Sequence, residues 1–287
     1  MIKNLLDACG PVILGVDGVR FIKFTNVPAT PNKNGANASC IISVMPAGGT
    51  PDCLPDGTQV TINGTCNFPA NLLNNGRFNN VLIGQVLALT LNICLDQGHG
   101  GGNGNCGPHN HDLANQTLCT LLVTRPAAPG PDNCLGDDDD IAVGSQSNFF
   151  IPMSVLCALQ NLGLPNTVSG LLTLANRALA CQPTGGATAA EINQAVDAIN
   201  EGFDGCRFLI NHCDDRLECA QGSLSNPNVP LVGLARPLFP LAPTTGSLLS
   251  WLNLDRPTWL SWNRPASRRF SMLVDAETNP GYFRLRL

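Results

Sequence analysis

Short runs of β-branched and aromatic residues recur through the N-terminal part of the chain, and clusters of Pro, Asn and Gly separate them. The runs at 12–14, 19–25, 38–45, 59–62 and 118–124 have the length and composition of strands. We therefore expect strands at these positions, joined by turns.

Residues 79–95 break this pattern, because their apolar residues follow the 3.6-residue period of a helix. The residues at this spacing are Leu82, Val86, Leu89 and Ile93. The sequence predicts one largely buried helix within a part, 1–130, that is otherwise β-rich.

Residues 131–222 are predicted to be mainly helical. Amphipathic segments occupy 152–162 and 167–180, and a third begins where Thr188 and Glu191 have the spacing of a capping box. We expect these segments to form a central three-helix unit.

The C-terminal part, 223–287, returns to a β-like pattern, with strand candidates at 229–241, 270–274 and 282–287. The chain is therefore predicted to have an α+β fold, in which strands from the N- and C-terminal parts pack around the central three-helix unit. A chain of 287 residues is short enough for the three parts to form one integrated domain.

Charged residues are scarce, and no basic stripe runs along a predicted helix; the arginines gathered at 256–286 alternate with apolar residues, as on the polar face of strands. They make up 13% of the chain, about half the usual share of roughly 25%, and the net charge is −5. Phosphate binding needs clustered Lys or Arg, so we expect no nucleic-acid partner. A neutral surface poor in lysine lacks the electrostatic repulsion that keeps soluble domains apart, and this favours self-association.

Thirteen cysteines indicate an oxidising environment. No Cys-x-x-Cys pair occurs, so the usual spacing of zinc, redox and iron–sulfur ligands is absent, and we expect disulfides that staple the fold. The odd number leaves at least one thiol free or paired with another chain. The candidates are Cys9, Cys40, Cys53, Cys66, Cys94, Cys106, Cys119, Cys134, Cys157, Cys181, Cys206, Cys213 and Cys219. The predicted location is extracellular or at a cell or particle surface.

No segment is predicted to span a membrane, since the longest apolar stretch, 81–95, is shorter than the roughly 20 residues required. The N-terminal residues do not resemble a signal peptide, because Asp7 and the Gly-Pro pair at 10–11 interrupt any apolar core. Three explanations are open: a leader peptide was removed, the chain is a piece of a longer protein, or the protein belongs to a particle whose assembly needs no signal.

One glycine-rich loop brings three of the four histidines close to a cysteine. Imidazole and thiolate groups together bind zinc, copper or nickel, so a metal site is one interpretation. Its residues are His99, Cys106, His109 and His111. The alternative is a solvated loop with Cys106 in a disulfide, because the spacing matches no standard metal site. The acidic run at 137–140 lacks the alternating ligands of an EF-hand and is predicted to be a solvated turn.

Sequence signatures of catalysis are missing. The chain has no nucleophile elbow, zinc-protease helix, phosphate-binding loop or dinucleotide fingerprint. The candidate carboxylates are expected to be solvated: Glu191, Glu201, Asp204, Asp214 and Asp215. One tyrosine and four histidines leave little material for general acid–base chemistry. We expect no enzyme activity and no cofactor.

Three Asn-x-Ser/Thr sequons mark candidate glycosylation sites at Asn37, Asn63 and Asn115. Each lies in a stretch that the sequence predicts to be turn-like. Chance matches are frequent in a chain rich in Asn and Thr, so glycosylation is one interpretation of these sequons.

Two segments resemble a module of large secreted proteins from environmental bacteria. In those proteins a GQ-LALxLN helix follows a P-GG-P--LP-G turn, and the matching residues here are MPAGGTPDCLPDGT at 45–58 and FNNVLIGQVLALTLNICLD at 78–96. The segment at 167–208, from TVSGLLTLAN to DGCRF, is similar to the helical pair that follows. The resemblance of 45–96 and 167–208 implies an extracellular module without known catalytic residues. The number of cysteines and the C-terminal third differ from that pattern.

Together these features predict a non-enzymatic structural subunit of an extracellular or particle-surface assembly, such as a filament, a layer, or a virion or surface coat. Its main partners would be copies of itself, through neutral faces. The alternative is an adhesive or ligand-binding cell-surface module, with other surface proteins or glycans as partners.

Overall fold

The computed structural model describes most of the chain up to Cys219, and the residues it describes belong to one compact unit. The described residues are 2–26, 31–99, 112–131, 140–204, 207–211, 213 and 219. The strands predicted at 229–241, 270–274 and 282–287 lie outside them.

The described residues form six α-helices. Their bounds are α1 Ile2–Cys9, α2 Pro31–Val44, α3 Val81–Cys94, α4 Met153–Asn161, α5 Val168–Leu179 and α6 Ala189–Gly202. A π-helical turn, Leu95–His99, continues α3, and two short 3-10 helices occupy Ala70–Leu72 and Leu113–Asn115.

Ten strands are arranged in four small sheets within the same residues. Their bounds are β1 Val12–Val16, β2 Arg20–Phe24, β3 Gln59–Ile62, β4 Leu73–Asn74, β5 Arg77–Phe78, β6 Leu121–Arg125, β7 Ala127–Ala128, β8 Ile141–Ala142, β9 Ser147–Phe150 and β10 Phe208–Leu209. The sheet orders are β1-β2-β3, β10-β6-β9, β4-β5 and β7-β8. Helices and several small sheets together make this an α+β fold, and the predicted fold class is confirmed.

The first sheet lies where the short β-rich runs predict strands. β1 and β2 form an antiparallel hairpin, and β3 pairs with β2 in parallel, with Ile22 opposite Val60. Helix α5 packs against β1, and the side chain of Asn176 in α5 accepts a hydrogen bond from the Gly15 amide at 2.8 Å. The contact joins the N-terminal sheet to the helical part of the chain.

The central helices agree with their sequence patterns. Helix α3 buries Leu82, Ile83 and Val86 completely, which confirms the buried helix predicted over 79–95. Helices α4, α5 and α6 occupy the three predicted segments. The capping box of α6 is present, with mutual hydrogen bonds between Thr188 and Glu191. These helices and the first sheet share one continuous hydrophobic core.

The strand predicted at 38–45 is wrong, because helix α2 covers most of this segment. Among its buried residues, Asn34, Ala38, Ile41 and Val44 recur every three or four positions, as one face of a helix requires, and Asn37 and Cys40 lie beside this line. Because Asn34 is polar, this face does not show a helical period of apolar residues in the sequence. With α1 and α2, the part predicted to hold one helix contains three.

Five disulfides connect distant parts of the described chain, and their Cα–Cα distances lie between 5.2 and 6.0 Å. The pairs are Cys9–Cys94, Cys40–Cys66, Cys53–Cys181, Cys119–Cys213 and Cys157–Cys219. The remaining three cysteines, Cys106, Cys134 and Cys206, lie outside the described residues. Disulfides in this number indicate an oxidising, extracellular type of environment.

Candidate interaction surface

The residues of the candidate metal loop lie largely outside the described chain. This holds for Cys106, His109, His111 and the side chain of His99, so the metal interpretation stays a prediction. Among the described residues, no group of three or more His, Cys, Asp or Glu side chains is placed to hold a metal ion.

A partly buried polar cluster joins α3 to α6. Gln85 in α3 donates to Asp197 at 2.7 Å and accepts from Asn200 at 2.7 Å, and Asn92 donates to Asn200 at 3.1 Å. Burial raises the pKa of Asp197, and the hydrogen bond from Gln85 partly offsets this effect. The amide partners neither take up nor release protons near neutral pH. Because its hydrogen bonds join side chains of α3 to side chains of α6, the cluster fixes the two helices in register.

Glu191, one of the carboxylates predicted to be solvated, has a structural role. It accepts from the Thr188 amide at 2.8 Å and from the Ser154 hydroxyl at 2.7 Å. These hydrogen bonds, that of the Thr188 backbone first, lower the pKa of Glu191. The carboxylate caps α6 and ties it to α4. Asp214 and Asp215, like 137–139, lie outside the described residues.

The three sequons occupy different environments. Asn63 and Asn115 are exposed, whereas Asn37 is completely buried in α2. The Asn37 side chain donates to the Thr25 carbonyl at 2.8 Å and accepts from the Gly64 amide at 2.7 Å. A glycan has no room on this buried nitrogen, so the folded chain favours the exposed Asn63 and Asn115 as acceptor sites.

The sheet β10-β6-β9 has one buried and one outward face. Leu122 and Thr124 of β6 are completely buried, and Leu121 and Val123 point to the opposite face because side chains alternate along a strand. The register places Phe150 of β9 beside Leu121 on that outward face. Ile210, just after β10, donates its amide to the Val123 carbonyl at 2.8 Å and therefore lies beside Val123.

Large apolar side chains on this outward face are open to solvent. Phe150 is 61% exposed and Ile210 41% exposed, whereas Leu121, Val123 and Phe208 are partly buried. Arg125 of β6 shares this face, and its guanidinium donates twice to the Gly144 carbonyl, at 2.7 and 3.1 Å. We call this face, together with the free edge of β9, the outer sheet surface.

Several contacts hold the outer sheet surface rigidly. The Asn211 side chain accepts from the Val123 amide and donates to the Leu121 carbonyl, at 2.8 and 2.7 Å, and thus extends the pairing of β10 with β6. The Cys119–Cys213 disulfide closes the same end of the sheet. Behind the sheet, the Phe149 ring packs on Gly202 of α6, where an added Cβ would lie 3.4 Å from the ring.

The sequence did not reveal this surface, because β9, SNFF, has no alternation of polar and apolar residues and β10 is only two residues long. The available signal was the pair of aromatic residues at 149 and 150, of which one faces the core and one faces outward.

Comparison with protein-family models, with curated proteins and with solved structures finds no match for this chain. The resemblance of 45–96 and 167–208 to a secreted bacterial module therefore stays a prediction. Among the helices of the described ranges, none combines the length and the apolar character needed to cross a bilayer.

Proposed function

We propose that the protein is a non-enzymatic structural subunit of an extracellular or particle-surface assembly, a filament, layer or coat, in which copies associate through the outer sheet surface. The observation that carries the proposal is the exposure of Phe150 and Ile210 on one face of a rigid, nearly uncharged sheet. Exposed apolar groups gathered on one face are typical of interaction sites.

Two further properties support association of like copies. Charged residues make up only 13% of the chain, so little electrostatic repulsion opposes contact between identical surfaces. The sheet is cross-linked by Cys119–Cys213, so its residues are ordered before they bind and lose little conformational entropy on association. An oxidising location preserves that cross-link.

Sedimentation velocity of the oxidised chain over a wide concentration range tests this proposal, with negative-stain microscopy of the largest species. We expect concentration-dependent association, and we expect Phe150→Lys to weaken it by about tenfold or more because it introduces a charge into an apolar contact.

Ile42→Lys is the matched control, since Ile42 is 46% exposed but lies on α2 and takes no part in this sheet. This variant should associate like the natural chain. A natural chain that stays monomeric at all concentrations would overturn the proposal. Binding of glycans or surface proteins by such a monomer would instead support the adhesive module.

A further inference from the structure

We propose that β9 of one copy pairs antiparallel with β9 of a second copy about a two-fold axis, so that two three-stranded sheets become one continuous six-stranded sheet. The inference rests on the proposed function and deepens it, because it names the contact through which copies associate. Hydrogen-bond direction, edge composition and register carry it.

The backbone of β9 turns hydrogen-bonding groups to its outer side. The Ile151 amide donates to the Thr120 carbonyl at 3.0 Å, which makes this a hydrogen-bonded pair of the antiparallel ladder. Bonding direction alternates along a strand, so Phe149 and Ser147 also turn their backbone groups towards β6. The amides and carbonyls of Asn148 and Phe150 therefore point away from it. No strand of the described chain pairs with that side of β9.

The outer edge of β9 lacks the features that protect edge strands. Lysine, proline and inward charges usually prevent a sheet edge from pairing with another chain. Residues 145–150, SQSNFF, contain neither a charge nor a proline. The two residues whose backbone groups point outward, Asn148 and Phe150, are both exposed. The edge is therefore accessible and electrically neutral.

Two requirements limit the register of a self-pairing. Residues opposite each other in an antiparallel pair share one face of the sheet, and each hydrogen-bonded pair must join residues that both turn their backbone groups outward. Of the registers that satisfy both, the one with the two-fold axis centred on Phe149 forms the most hydrogen-bonded pairs within β9, because Asn148 of each copy then lies opposite Phe150 of the other. The two equivalent pairs make four backbone hydrogen bonds.

The same register explains why the second strand belongs to an identical copy. With Phe149 on the axis, the two Phe150 rings are diagonal neighbours on the outward face, a separation that aromatic side chains can bridge. Phe150 is the most exposed of the large apolar side chains in the described chain, and pairing buries it against itself. Asn148 and Phe150 introduce no like charges into this contact.

The size of the contact indicates a weak association of two copies. An edge pairing of four-residue strands buries less than the roughly 1,200 Å² typical of stable complexes. The pair is therefore a reversible link whose strength in an assembly comes from repetition of contacts.

The pairing is tested on the oxidised full chain by sedimentation velocity together with amide hydrogen exchange at low and high concentration. We expect exchange at the Asn148 and Phe150 amides to slow as concentration rises, because these groups become hydrogen-bonded only in the pair. Exchange at Ser147 and Phe149 should change little, because their amides already face β6.

Asn148→Lys should weaken association by about tenfold or more, since two diagonal lysines repel each other and resist burial. Asn67→Lys is the matched control, an exposed asparagine outside this sheet, and it should associate like the natural chain. Circular dichroism and thermal unfolding show that both variants are folded.

The two possible failures are distinct. A natural chain that never associates overturns the proposed function and this inference together. A natural chain that associates, while Asn148→Lys matches Asn67→Lys and the Asn148 and Phe150 amides exchange at the same rate at all concentrations, overturns only the β9 pairing.

Discussion

At the scale of single residues, Asn37 shows how a surface motif can serve the interior. It belongs to a glycosylation sequon, yet its side chain is completely buried and joins the Thr25 carbonyl to the Gly64 amide. An asparagine in a helix usually faces solvent, and sequence alone does not reveal that this one replaces apolar packing with two hydrogen bonds.

We predict that Asn37→Asp lowers the free energy of unfolding by about 1–3 kcal/mol, because it removes the donor to the Thr25 carbonyl and buries a carboxylate. Asn63→Asp changes the same residue type in an exposed sequon and should have an effect within about 0.5 kcal/mol. Urea denaturation monitored by circular dichroism gives both values. Equal effects of the two substitutions would contradict the assigned role of Asn37.

At the scale of elements, strands within β-rich runs and helices with an unbroken apolar period were predictable. β1, β2 and β3 lie in runs of strand-like composition, and α3, α5 and α6 follow the helical period. Helix α2 was not predictable, because buried asparagines interrupt its apolar face and β-branched residues near its end favour a strand. The contacts of these asparagines with other elements decide the local structure.

The packing of α3 on α6 gives a prediction at this scale. Burial raises the pKa of Asp197 in the folded state, so the folded chain binds this proton more tightly than the unfolded chain. Stability linked to Asp197 is therefore lost as pH rises through the raised pKa. Asp197→Asn keeps an oxygen acceptor for Gln85 and should raise the free energy of unfolding at pH 7.

The gain from Asp197→Asn should shrink towards about pH 3, where the carboxyl is protonated in both states. Urea denaturation at the two pH values measures it. Asp17→Asn, which removes an exposed carboxylate paired with Lys23 at 2.8 Å, should give no gain. A loss of stability in Asp197→Asn at pH 7 would mean that the charged bond to Gln85 outweighs the penalty of burial.

At the scale of the whole molecule, the α+β class and the use of disulfides were predictable from composition and periodicity. The connectivity was not, because thirteen cysteines allow a very large number of pairings. The outer sheet surface was equally hidden, since β10 pairs with β6 from far along the chain, beside the Cys119–Cys213 disulfide, whose cysteines are 94 residues apart. Contacts between residues so far apart in the chain produce no pattern in the local sequence.

The disulfides differ in the length of chain that they close, and this gives a prediction for the whole fold. Cys53–Cys181 closes 128 residues and Cys40–Cys66 closes 26. Closing a longer loop removes more conformational entropy from the unfolded chain. With the other cross-links kept, the difference between these two loop lengths corresponds to about 1 kcal/mol of free energy.

Replacing Cys53 and Cys181 with alanine should therefore reduce the free energy of unfolding by about 1 kcal/mol more than replacing Cys40 and Cys66. Denaturation without reductant measures both, and mass spectrometry of non-reduced peptides checks that the other pairs stay intact. A larger loss for the shorter loop would show that native packing around it, rather than chain entropy, dominates.

The overlapping disulfides also limit how far the molecule can be stretched. The shortest covalent route from Cys9 to Cys219 crosses to Cys94, follows the backbone to Cys119, crosses to Cys213 and ends six residues later. Fully extended, this route measures about 110 Å, against about 700 Å for the same chain without cross-links. Under tension applied at Cys9 and Cys219, this part of the chain would therefore extend to only a small fraction of its contour length and would transmit the force to neighbouring subunits.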